Sequence, residues 1–212
     1  MTIAEFRKLN MAQLDVLMEV GNIGSGNAAT ALSTMLSSKI MMQIPSIRLL
    51  DFAKTPKYLG GEDNVVAGVL VRVNGDIHGM MFHAFQKDFI NQLLGGFLGS
   101  HIDSLDELDE MGKSVLNEVA NITSAAYVNA LSLLTDMVID IMPPEQHITT
   151  IGELVKIPRE ELSDLSQDVL FLEQDLFLDN GNVEGNMIFI PQKDSLEVLL
   201  ERLEIKSGMK KE

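Results

Sequence analysis

The chain repeats itself. Shifted by 99 positions, Val16, Leu17, Glu19, Val20, Asn22, Ile23 and Ser25 recur as Val115, Leu116, Glu118, Val119, Asn121, Ile122 and Ser124. Ala31, Leu32, Ser33 and Pro45 recur as Ala130, Leu131, Ser132 and Pro144. Shifted by 106, Asn74, Gly75, Gly79 and Met81 recur as Asn180, Gly181, Gly185 and Met187. Gln86-Lys87-Asp88 likewise returns as Gln192-Lys193-Asp194. The change of shift implies a net insertion of seven residues between Pro144 and Asn180. Two copies of one unit are thus imposed on any fold. Each copy is too small to bury a good core by itself, so the two are expected to share one.

The elements follow the repeat. Apolar residues at three- and four-residue steps predict a helix over Met11–Leu36, with Asn10 as its N-cap, and a second one ending near Leu134. The acidic run 101–110 reads as a capped, solvated start to the second. Strands are expected over 39–44 and 137–142, stopped by Pro45 and Pro143-Pro144, and over 47–52, 65–73, 76–85, 168–178 and 183–190. Asn74-Gly75 and Asp179-Asn180-Gly181 read as hairpin turns. Short helices are expected over 87–98, 158–165 and 194–203, with a short strand and turn in 146–156. The fold class is α+β, an α/β sandwich with a central, mostly antiparallel sheet and a pseudo-twofold axis. One domain spans 1–212, its halves lying at about 1–100 and 101–205, with 206–212 a flexible tail.

Several chemistries drop out. With no cysteine, there are no disulfides, thiolate metal sites or cysteine nucleophiles. A net charge of -15 argues against nucleic acid and anionic membrane surfaces as partners. No apolar run approaches the ~20 residues a membrane span needs. The N-terminal residues lack a signal-peptide apolar region, so a cytoplasmic protein is expected. His78 and His83, five apart on a strand, point to opposite faces, and no metal motif is present. Gly21, Gly24 and Gly26 suggest a phosphate loop, but the lysine of such a loop is missing. The second copy carries Ala120, Thr123 and Ala125 there. Smallness is what the copies share, which points to close helix packing.

Glu19 and Asn22 share a helix face, as do Glu118 and Asn121, with Asp15 and Ser114 one turn back. The flanking residues are apolar, so this stripe should face solvent. One such pair would ordinarily do nothing; keeping it in both copies favours function. A carboxamide does not titrate, but it can fix the position and direction of a water. That suffices for phosphoryl transfer, which depends on positioning and charge neutralisation. The glutamate could act as a base or pair with a lysine on a partner.

The pattern Asp15-Glu19-Asn22-Pro45, repeated as Ser114-Glu118-Asn121-Pro144, resembles the signature of the CheC/CheX/FliY family of chemotaxis phosphatases. The likeness covers nearly the whole chain, and the doubled motif is similar to that of the CheC branch. It implies dephosphorylation of the response regulator CheY. Asn22 and Asn121 would orient water for in-line attack on the aspartyl phosphate, and Glu19 and Glu118 would contact the receiver's active-site lysine. Asp15, Ser114, Pro45 and Pro144 would be supporting motif positions. No cofactor is implied in this chain, since Mg2+ belongs to the receiver. The resemblance also implies binding of the receptor deamidase CheD, for which the stretch between Pro144 and Leu165 is the expected surface. The alternative is an adaptor whose main role is binding CheD, with weak phosphatase activity.

Overall fold

The computed structural model describes residues 9–37, 39–43, 47–162, 164–178 and 181–206. The first half holds α1 (Met11–Leu36), β1 (Met41–Gln43), β2 (Ile47–Asp51), α2 (Thr55–Tyr58), β3 (Val65–Gly75), β4 (Gly79–Phe85) and α3 (Lys87–Leu98). The second holds α4 (Glu110–Thr135), β5 (Ile139–Ile141), β6 (Glu145–Thr150), α5 (Ile151–Leu154), α6 (Lys156–Glu161), β7 (Asp168–Leu178), β8 (Gly181–Pro191) and α7 (Lys193–Lys206).

The two long helices are cut at equivalent residues. Asn10 caps α1 by accepting from the Gln13 amide, and Asp109 caps α4 by accepting from the Gly112 amide. Each cap satisfies one of the orphan donors of a first turn. Both helices end on a non-glycine residue in the left-handed region, Ser37 (φ 50°) and Asp136 (φ 55°). All four caps obey the 99-residue shift of the motif. The acidic run contributes Asp109 as cap and Glu110 in the first turn; Leu105–Glu107 form a separate short turn before it.

One antiparallel sheet draws strands from both halves in the order β1-β7-β8-β4-β3-β5, with β2 also on β7 and β6 also on β3. The central pair is β4 with β8, one strand from each copy, and Phe82 lies opposite Ile188. Outward from that pair the halves exchange strands. β1 and β2 of the first half pair with β7 of the second, and β5 and β6 pair with β3 of the first.

Period-two alternation splits the buried residues between the two sheet faces. Val69, Val71, Met81 and Phe189 pack under the long helices. Leu70, Phe82, Phe171 and Ile188 face the other way, against Phe52, Leu59, Ile151 and Leu154. Short segments 52–62 and 151–162 therefore form the layer opposite the long helices. Arg159 of α6 sits 4.9 Å over the Phe52 ring and ties these two segments together.

Some expectations change. Asn74-Gly75 is not the turn: β3 continues through Gly75, and Asp76–His78 make the reversal. The cause is long-range. β5 pairs with the end of β3, Gly75 opposite Ile139, and Asp76 accepts from the Val138 amide. Gly75 has φ +112°, and a side chain there would collide with the Val138 carbonyl. His78 consequently lies in the turn rather than on a strand with His83. Part of the insertion falls after β6: residues 52–64 separate β2 from β3, but the longer 151–167 separate β6 from β7. The final helix begins at Lys193 and includes Lys206, so residue 206 is helical rather than tail; 207–212 lie outside the described residues. Pro45 and the Asp179-Asn180 pair also lie outside them.

Candidate functional site

Asp15, Glu19 and Asn22 are all exposed on α1. Ser114 and Glu118 are exposed on α4, and Asn121 is half-buried there. The opposite faces of these helices carry Leu17, Val20, Leu116 and Val119, each buried, which fixes the polar stripe outward. Among the described residues, neither the Asn22 nor the Asn121 side-chain amide has a hydrogen-bond partner, and neither Glu19 nor Glu118 has an ion pair. Each copy thus presents an amide with its donor and acceptor uncommitted, one turn from an uncommitted carboxylate.

The helices bearing the two stripes meet at Gly24. This buried glycine faces Tyr127 of α4, and a β-carbon on it would lie 2.7 Å from the ring Cε1. Close packing therefore accounts for Gly24. It does not account for Gly26, which is exposed and has nothing within 4 Å of its missing β-carbon. Gly26 stands one turn after Asn22 on the outer face, so its smallness is not demanded by the fold.

Pro144 is half-buried in the loop leaving β5. Arg72 of β3 holds both ends of that loop. Its carbonyl accepts from the Met142 amide at 2.9 Å, and its guanidinium pairs with Glu145 at 3.0 Å. The same guanidinium pairs with Glu161 at 2.7 Å, and this carboxylate does most to raise the Arg72 pKa.

Beneath the site lie groups that sequence reasoning did not use. His83 is buried on β4, with Nε2 2.8 Å from the Ser124 hydroxyl on α4. Burial pushes its pKa down to about 3, so the ring is neutral. The Ser25/Ser124 match flagged the position, but nothing local flagged its imidazole partner. Tyr127 is buried too, its hydroxyl without a partner among the described residues and its pKa raised by burial. It lines an apolar cavity of about 30 Å³ with Leu17, Val73 and Met187. No cluster of three or more metal-ligating His, Asp or Glu occurs among the described residues. No described helix is long and apolar enough to cross a membrane.

The family model described as CheC-like matches residues 13–47 and 111–148. Each match carries one copy of the motif from helix to proline. CheY-P phosphatase CheC of Bacillus subtilis is 33% identical over 204 residues, covering 93% of this chain and 97% of that protein. The chain belongs to the CheC-like family. The flagellar motor switch phosphatase FliY of Bacillus subtilis is 26% identical over 168 residues, 76% of this chain and 43% of that protein. The crystal structure of Thermotoga maritima FliY shares the fold of this CheC-like chain, with a TM-score of 0.73 at 21% identity. That match covers 93% of this chain and 98% of the other.

Proposed function

We propose that this CheC-like protein hydrolyses the aspartyl phosphate of the response regulator CheY at two sites, centred on Asn22 and Asn121. The observation that carries this reading is the pair of outward-facing, uncommitted amides at equivalent places on twin helices. An aspartyl phosphate is an activated acyl phosphate, and the receiver brings its own Mg2+. What remains is to place a water in line with the P–O bond to the aspartate. The asparagine Oδ1 accepts a hydrogen bond from that water, turning the water's lone pair towards phosphorus. As the water oxygen bonds to phosphorus, the aspartate oxygen leaves as carboxylate and inorganic phosphate is released. Glu19 and Glu118 pair with the receiver's active-site lysine and hold the amide at the phosphorus. Rate then comes from positioning rather than from proton transfer by this chain.

Phosphate release from phosphorylated CheY tests the reading. Asn22→Ala and Asn121→Ala each lower the rate, and the double variant brings it to that of CheY alone while its circular dichroism is unchanged. A double variant as active as the parent sinks it. Acting on CheY places the protein in the cytoplasm.

The protein also binds CheD, in this reading through the stretch between Pro144 and Leu165, which includes segment 151–162. That segment covers the sheet face opposite the motif helices, so CheD and CheY need not compete. If CheD binding is the main role and phosphatase activity is weak, the Asn double variant still binds CheD with the affinity of the parent.

A further inference from the structure

The two motif copies are not held in the same way. In the first, Ser25 donates its hydroxyl to the Asn22 carbonyl at 3.1 Å, a bond that stays within α1. In the second, Ser124 turns to the sheet and meets His83 Nε2 at 2.8 Å. Both serines are buried, at 5% and 0% exposure. The difference lies in what the sheet offers. His83 is paired with Val69 on one side and Met187 on the other, and points towards the long helices. Its counterpart at the 106-residue shift is Phe189, which is apolar and buried. Among the described residues, Ser124 meets an imidazole and Ser25 does not.

We infer that His83 is a positioning residue for the second copy: through Ser124 it fixes α4 on the sheet and so sets where Asn121 stands. Ser124 lies three residues, about 4.5 Å along the axis, beyond Asn121. A slip or roll of α4 is thereby resisted within one turn of the working amide. The imidazole also stacks on Phe85, with centroids 5.7 Å apart and planes at 23°, so it is itself held. Being neutral, it offers Ser124 one donor or acceptor nitrogen without burying a charge. Asn22 is exposed and Asn121 half-buried, in keeping with two seatings of one motif. Because a misplacement of about 1 Å in a positioning mechanism can cost on the order of 100-fold, one buried bond is enough to separate the copies.

The inference rests on the phosphatase reading for its kinetic test and on structure alone for its second. In full-length protein, Asn22→Ala leaves the second copy and Asn121→Ala leaves the first. His83→Leu is placed in each. With the second copy alone, kcat for phosphorylated CheY falls about tenfold at unchanged KM. With the first copy alone, kcat changes less than about twofold. His83→Gln, whose Nε2 can take the place of the imidazole nitrogen, restores most of the loss. Ser124→Ala, which leaves the sheet core intact, reproduces the split if the leucine variant folds poorly. Equal losses in both backgrounds, or none in either, overturn the inference. If no background releases phosphate, the phosphatase reading has failed, and amide hydrogen exchange decides. His83→Leu then speeds exchange about tenfold at residues 118–125 and leaves 19–26 unchanged; equal effects on the two segments overturn it.

Discussion

Tyr127 packs its ring against the α-carbon of Gly24, where a methyl group would stand 2.7 Å from Cε1 and 3.0 Å from Cγ. The contact joins the two motif helices between residues two and six positions beyond their asparagines. In the second copy Thr123 occupies the place of Gly24, and in the first Ala28 occupies that of Tyr127. The two copies therefore differ at this crossing in size as well as in residue identity.

Gly24→Ala and Gly26→Ala should therefore shift stability in opposite directions. Both remove the cost of a helical glycine, about 1 kcal/mol. At Gly24 the added methyl meets the buried ring of Tyr127, an overpacking that costs about 1–3 kcal/mol. At Gly26 it meets nothing. Urea unfolding should show Gly24→Ala about 1 kcal/mol less stable than the parent and Gly26→Ala up to about 1 kcal/mol more stable.

Tyr127→Phe should cost little. The hydroxyl is buried without a partner among the described residues, and desolvating such a group costs about 1–3 kcal/mol. Removing it leaves the ring against Gly24. The expected result is a melting temperature equal to the parent's or a few degrees higher, read by thermal circular dichroism.

Stability should carry an acid dependence from His83. Burial depresses its folded pKa to about 3, while the unfolded chain has the ordinary value of about 6.5. Below the unfolded value the unfolded state binds the extra proton, so stability falls as pH drops from about 6.5 towards 3. The slope from this one group approaches about 1.4 kcal/mol per pH unit. Urea midpoints at pH 7, 6 and 5 should fall more steeply for the parent than for His83→Gln. Parallel curves would refute the assignment.

The Arg72 pairs are partly exposed, with 40% of the arginine side chain accessible. Screening limits such pairs to about 0.2–1 kcal/mol each. Arg72→Met should lower stability by about 1 kcal/mol. In a chain of this size that corresponds to a fall of about 2–4 °C in melting temperature.

Glu19→Gln and Glu118→Gln separate docking from catalysis. If these carboxylates meet the receiver's lysine, removing both charges should raise KM for phosphorylated CheY about tenfold and make it less dependent on salt. Loss of kcat at unchanged KM would assign them to the chemical step instead.

Much of this was legible in the residues because it is local or repeated. The long helices announce themselves by spacing, and the first also by its cap, Asn10; which carboxylate of the acidic run caps the second, Asp109, came only with the structure. The outward stripe follows from Leu17 and Val20 on one side and Glu19 and Asn22 on the other. Asn74-Gly75 misled because the turn it favours was overridden by β5, which begins at Ile139 far along the chain, pairing on the end of β3. His83 and Ser124 were invisible as a pair for a similar reason. Strand parity says which face a histidine takes, but not which residue of a distant helix will stand over it.

The exchange of edge strands has an evolutionary side. A half-length chain would expose the β3 edge that β5 and β6 now cover, and its own β1 and β2 would have nothing to pair with. Two such chains laid across a twofold axis would complete each other. A gene duplication that fused the subunits of such a dimer would give the strand exchange seen here. Fusion frees each half to drift without the other, and a single imidazole under one of two matched serines is the kind of divergence that a true homodimer could never have acquired.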